Sequence, residues 1–238
     1  MSNVLLTFGD SWPAGTKLAS SDNAYPKIIA STLDMELIDL SARATSIEHV
    51  VSALFYFLEN THNPANTYTA LFSLTDISRS MGYRAGDWEI PARDGFWKQC
   101  EFTFEFHNSR KTDEVTNFYY KHIHSTRLEL YNYHKNVTLL KLLCEKYNIK
   151  DFYVHNWYDP NFEFKIVNKD RFYPHTLTQI LNSKTYKEYI PTVIPEPEQD
   201  KLKRPQHTGL FIGPDGHPNP AGHDRIAEVL AEWIKTYE

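Results

Sequence analysis

Three short apolar runs separated by two helical patterns limit what the first third of this chain can become. Residues 3–8 form the first run, stopped by Gly9-Asp10-Ser11, and read as a buried strand. Residues 25–33 follow as a helix, with Pro26 in the first turn, where a missing N–H costs nothing. Residues 36–40 predict a second strand. Residues 47–58 predict a helix with Ile47, Val50, Val51, Leu54 and Leu58 on one stripe, and residues 69–74 a third strand. The β-α-β-α-β order with short connections calls for a parallel sheet covered by helices.

Beyond residue 76 the pattern loosens. Ten aromatics lie between Tyr83 and Tyr120, and the alternation Phe102, Phe104, Phe106 predicts an extended segment with one apolar face. Helical spacing returns over 127–147, where Tyr133, Val137, Leu140, Cys144 and Tyr147 recur at intervals of four and three. Residues 151–155 predict a fourth strand. Residues 156–218 carry enough proline to exclude a long helix or strand. Asn219 then caps a final helix opened by Pro220, with Ile226, Val229, Leu230 and Trp233 facing inward. The expected architecture is one α/β domain over residues 1–238, with insertions at about 77–125 and 156–214.

Composition narrows the function classes. The chain is 41% hydrophobic and 23% charged, which supports a real core and excludes global disorder. A formal charge of −5 argues against nucleic-acid binding, which needs a basic face. Cys100 and Cys144 are too few for a disulfide framework. No apolar stretch approaches a membrane span, and Val4-Leu5-Leu6 is too short for a signal peptide. A cytoplasmic or otherwise soluble protein, with no membrane partner, is expected.

Function in open parallel sheets gathers at the carboxyl ends of the strands. Strand one ends there in Phe8-Gly9-Asp10-Ser11-Trp12, which throws Ser11 onto the rim. Backbone N–H groups of such a turn can converge on an oxyanion. Near the other end, Asp215-Gly216-His217-Pro218-Asn219-Pro220 precedes the last helix. A histidine there can take a proton from a serine hydroxyl. A carboxylate two residues earlier shares its face if Pro214 and Pro218 keep the segment extended.

Together these residues resemble the GDSL/SGNH hydrolase superfamily of serine esterases and lipases. Phe8-Gly9-Asp10-Ser11 is similar to the first block, which carries the nucleophile, with Trp12 where leucine is common. His217-Pro218-Asn219 is similar to the last block, which carries the base. Asn156-Trp157 falls where such proteins have a strand-end loop. Two blocks depart. In the second, 40–46 places Ala44 where a glycine usually lends its N–H to the oxyanion hole. In the third, Ser73-Leu74-Thr75-Asp76 replaces Gly-x-Asn-Asp and aligns Thr75 with an asparagine donor. The last block is also one residue short, since only Gly216 separates Asp215 from His217.

The resemblance implies a three-layer α/β/α sandwich with a short parallel sheet of flavodoxin-like topology. It also implies a serine-dependent carboxylic ester hydrolase needing no cofactor and no metal. Ser11 is then the nucleophile, His217 the base and Asp215 its orienting acid, with Ala44, Thr75 and Asp76 around the oxyanion. Small O-acyl groups on a carbohydrate are the expected substrate class. A lipase, thioesterase or acyltransferase of the same fold, or a catalytically inactive carbohydrate-binding module, remains open at this stage. His223, one turn into the last helix, competes with His217 as base, and motif context favours His217. His122, His124 and His134 lack a Cys or carboxylate at ligand spacing and are not read as a metal site. Both insertions leave strand carboxyl ends and should overhang Ser11, where their aromatics suit sugar rings or acyl chains. Arg79, Arg84, Arg93 and Arg110 are read by default as solvated surface.

Overall fold

The computed structural model describes residues 2–43, 45–75, 80–82, 104–106, 118, 121–123, 125–157, 165, 167–182, 211–212 and 216–237. Four strands, β1 (Asn3–Phe8), β2 (Glu36–Asp39), β3 (Thr67–Leu74) and β6 (Ile149–His155), form one sheet in the order β2-β1-β3-β6. All three pairings are parallel. A separate antiparallel pair joins β4 (Ser80–Gly82) to β5 (Phe104–Phe106). Among the described residues the α-helices are α1 (Tyr25–Thr32), α2 (Ile47–Asn60), α3 (Thr126–Lys146), α4 (Leu177–Asn182) and α5 (Pro220–Lys235).

Parallel strands buried on both faces need apolar residues at successive positions, and β1 has them: Val4, Leu5, Leu6 and Phe8 are all buried. Val4, Leu6 and Phe8 pack with α2 and α3 residues such as Leu54, Phe57, Val137 and Leu140. Leu5 turns the other way, into a second core with Ile29 of α1, Leu177 of α4 and Ile226 and Leu230 of α5. Two cores on opposite faces make the expected α/β/α sandwich. Cys144 is buried within the α3 stripe, as its spacing predicted, and burial pushes its thiol well above the ordinary value.

On the α2–α3 face the rings of Phe8 and Phe72, which are register partners, stack at 4.9 Å. The next pair across, Phe72 and Tyr153, stacks at 5.2 Å, and Phe172 closes the row on Tyr153 at 4.9 Å. Aligned aromatic pairs add about 0.5–1.5 kcal/mol each beyond the area they bury. The row ties three strands together near their carboxyl ends, beneath the turn that follows β1.

Two of the sequence-based strand boundaries move. The third and fourth sheet strands begin at Thr67 and Ile149, two residues before the apolar runs that marked them. Lys141 reaches from α3 to Asp151 at 3.0 Å, which accommodates a carboxylate inside β6. Burial would lower the Lys141 pKa, but its bonds to Asp151 and the nearby carboxylates outweigh that and raise it. Within the stretch read as too proline-rich for a long helix, the short α4 forms over six residues, lying between Pro174 and Pro191 where no proline interrupts it. Most of the two expected insertions, 77–125 and 156–214, lies outside the described residues, including Arg79, Arg84, Arg93 and Arg110. Among the described residues no helix is long and apolar enough to cross a membrane, and no group of three or more His, Cys, Asp or Glu gathers as metal ligands.

The last helix starts as its sequence predicted. The Asn219 side chain accepts the Gly222 N–H at 2.9 Å, with Pro220 in the first turn. Replacing this cap, Asn219→Ala, should lower the unfolding free energy by about 1 kcal/mol in urea titration.

Candidate active site

The site is built at the carboxyl edge of the sheet, beginning where β1 ends. Gly9 takes φ +149°, and a Cβ there would lie 2.7 Å from both Cβ and O of Ser73 and 2.8 Å from Pro13. Only glycine lets the chain leave β1 so close to β3. The next residues wind into a compact turn, in which Thr16 N–H donates to Ser11 O at 3.0 Å and Gly15 N–H to Trp12 O at 3.1 Å.

Asp10 organises this turn from beneath. It is fully buried, and its Oδ1 accepts the Trp12 N–H and the Asn156 Nδ2, each at 3.0 Å. Its Oδ2 accepts the Thr75 hydroxyl, also at 3.0 Å. Asn156, directly after β6, in turn accepts the Ser73 hydroxyl, and Ser73 accepts the Tyr25 hydroxyl at 2.8 Å. Burial pushes the Tyr25 phenol well above its ordinary pKa, although the Ser73 bond pulls the other way, so Tyr25 remains a donor.

With the turn held in this way, the half-buried Ser11 presents its Oγ 3.0 Å from His217 Nε2. The histidine arrives on a short bridge between Ile212 and Pro218, after Gly216 at φ +79° and two residues before the α5 cap. Residues separated by 206 positions therefore meet at hydrogen-bond distance. Among the described residues the Ser11 N–H donates no hydrogen bond.

The other predicted site residues fare differently. The second-block segment lies beside the turn: Ala42 N–H and Thr45 Oγ1 both donate to Gly9 O at 3.0 Å. Ala44 itself, Asp76 and Asp215 lie outside the described residues. Thr75 is already engaged within the turn's support. A hydroxyl has one proton, and that of Thr75 goes to Asp10 rather than outward to an oxyanion.

His223, the competing histidine, is buried at 1% exposure and accepts the Tyr25 backbone N–H on Nδ1 at 3.1 Å. Burial, and secondarily the neighbouring His217, lowers its pKa to about 4. It therefore pins α5 to the start of α1 as a neutral imidazole. The sequence reading did not find Tyr25 or Ser73, and it noted Asn156 only as a strand-end residue. The available signal was polar residues at strand ends that must be buried.

The chain has the fold of the SGNH/GDSL hydrolases. It is similar to the crystal structure of TesA, with TM-score 0.53 and 12% sequence identity, over 98% of each chain. It is also similar to the psychrotrophic esterase EstA from Pseudoalteromonas sp., solved inhibited by monoethylphosphonate, with TM-score 0.50 and 14% identity over 99% of this chain and 98% of that one. No protein-family model and no curated protein sequence matches.

Two measurements check the site's physical description. Gly9→Ala should destabilise the fold by about 1–3 kcal/mol in urea unfolding, through overpacking against Ser73 and Pro13. His223 has a folded pKa of about 4, below its ordinary 6.5, so the unfolded chain binds the extra proton between those values. Its contribution is full above about pH 6.5 and is lost as pH falls towards 4. In His223→Gln the stability gap between neutral pH and about pH 4 should narrow by on the order of 3 kcal/mol.

Proposed function

We propose that the protein is a serine-dependent carboxylic ester hydrolase. The observation that carries this reading is the 3.0 Å contact between Ser11 Oγ and His217 Nε2 at the carboxyl edge of the sheet. That is within reach for proton transfer from alcohol to imidazole. The shared fold with an esterase supports it.

Ser11 Oγ attacks the acyl carbon as His217 Nε2 takes the hydroxyl proton, and the carbonyl π pair moves onto oxygen. The groups proposed to receive that oxyanion are the N–H groups of Ser11 and Ala44, with Thr75 or Asp76 as further candidates. Collapse of the tetrahedral adduct breaks the C–O bond, and His217 gives its proton to the departing alcohol. Water then repeats the sequence on the acyl-serine, releasing the acid and restoring Ser11. The role proposed for Asp215 is that of the acid orienting His217. While Thr75 donates to Asp10, the oxyanion has one side-chain donor fewer than the resemblance implies. A missing donor typically slows turnover about 10²- to 10³-fold. The substrate is a small O-acyl, in particular acetyl, ester of a carbohydrate or related small molecule.

A fluorophosphonate, whose tetrahedral phosphorus is attacked by an activated serine, tests the reading. It should label the wild-type chain on Ser11, found by mass spectrometry of the digest, and leave Ser11→Ala unlabelled. Hydrolysis of p-nitrophenyl acetate should fall at least about 10³-fold in both Ser11→Ala and His217→Ala. Equal release by wild type and Ser11→Ala would overturn the esterase and favour a binding module that keeps the fold. Product analysis with and without an added alcohol acceptor separates hydrolysis from acyl transfer, and acetylated against deacetylated xylan tests the substrate class.

A further inference from the structure

Four buried side chains outside the proposed machinery form a single directed line of hydrogen bonds that ends under the nucleophile. Tyr25 of α1 donates to Ser73 of β3 at 2.8 Å, and Ser73 donates to Asn156 after β6. Asn156 donates to Asp10 at 3.0 Å, and Asp10 holds the Trp12 N–H on the far side of Ser11 at 3.0 Å. Tyr25, Ser73, Asn156 and Asp10 are all at most 1% exposed.

The direction of each bond follows from the donors available. The carboxylate at the end only accepts, so Asn156 must present its NH2 to Asp10 and its carbonyl oxygen to Ser73. Ser73 then spends its one proton on Asn156 and has only lone pairs left, which the Tyr25 hydroxyl fills. Reversing any member leaves two acceptors or two donors facing each other in a dry interior. The start of the line is anchored as well, because the Tyr25 backbone N–H is bonded to His223 Nδ1 of α5 at 3.1 Å.

Nothing in packing requires this line. An apolar side chain at position 73 or 156 would need no partner of its own, but would take a donor from Asn156 Oδ1 or from Asp10. The polar residues instead fix where Asp10 sits, and Asp10 fixes the peptide on either side of Ser11. Movement of about 1 Å in a reacting group is enough to cost roughly 10²-fold in rate.

We infer that Tyr25, Ser73 and Asn156 are positioning residues that act in series through Asp10 to hold Ser11 Oγ against His217, resting on the reading of Ser11 as nucleophile. Tyr25 contributes by orienting Ser73, and Ser73 by selecting the orientation of the Asn156 amide. None touches the reacting atoms.

Residues acting in series lose their effect once, whereas independent structural damage multiplies. Tyr25→Phe and Ser73→Ala keep the local shape and should each slow fluorophosphonate labelling about 10-fold, with kcat on p-nitrophenyl acetate falling and KM unchanged. The double variant should be no more than about threefold slower than the worse single one. Losses that multiply to about 100-fold, or a change in KM with kcat intact, would overturn the series arrangement.

A readout free of chemistry accompanies this. In 15N imidazole NMR, Ser11→Ala should move the His217 titration midpoint in the wild-type background and by less than half as much in the Tyr25→Phe background. An equal response in both backgrounds overturns the inference even where labelling is normal. A wild-type chain that takes no label but shows the unequal response would instead refute the hydrolase and leave the positioning line standing.

Discussion

A carboxylate shut away from water has to be satisfied by the protein around it, and at Asp10 the donors come from different parts of the chain. The Trp12 N–H comes from the turn itself, the Thr75 hydroxyl from the end of β3 and the Asn156 amide from the end of β6. Charge-assisted bonds of this kind are each worth about 1.5–3 kcal/mol, and losing a partner leaves an expensive buried acceptor. Three neighbouring strand ends are thereby locked to the turn that carries Ser11. The turn can be reached by solvent without being loose, because its anchor lies inside the core.

The two histidines near this turn show how the same side chain divides into separate duties by burial and partner. His217 is half-buried, with Nε2 at hydrogen-bond distance from the Ser11 hydroxyl. His223 is sealed in, accepts a backbone N–H, and is held neutral down to about pH 4. Their closeness in sequence belongs to one economy of construction. A cap at Asn219 and a packed histidine one turn later hold α5 still, and that fixes the segment entering it.

Much of the fold was legible because its signals are local. The runs at residues 3–8 and 69–74, the stripe of α2 and the Asn219–Pro220 start of α5 each carry their own periodicity or capping chemistry. The six-residue α4 was missed because its neighbours in sequence are rich in proline and it owes its existence to packing of Leu177, Ile180 and Leu181. The partner of Thr75 was equally out of reach of the sequence. Alignment along a motif says which strand end a residue occupies, but not which of several acceptors its single proton will find.

By itself the sequence determined the alternation of strands and helices, the glycine that releases the chain from β1, and the two polar segments able to supply an alcohol and an imidazole. These follow from side-chain period, φ preference and hydrogen-bonding capacity, all carried within a few residues. Only the tertiary structure decided that Ser11 and His217 meet, that His223 turns inward, and that Tyr25, Ser73 and Asn156 run in one line to Asp10. Such pairings join positions up to 206 residues apart. No local rule reaches that far, because the partners are chosen by how the sheet is ordered and by which polar groups burial leaves in need of each other.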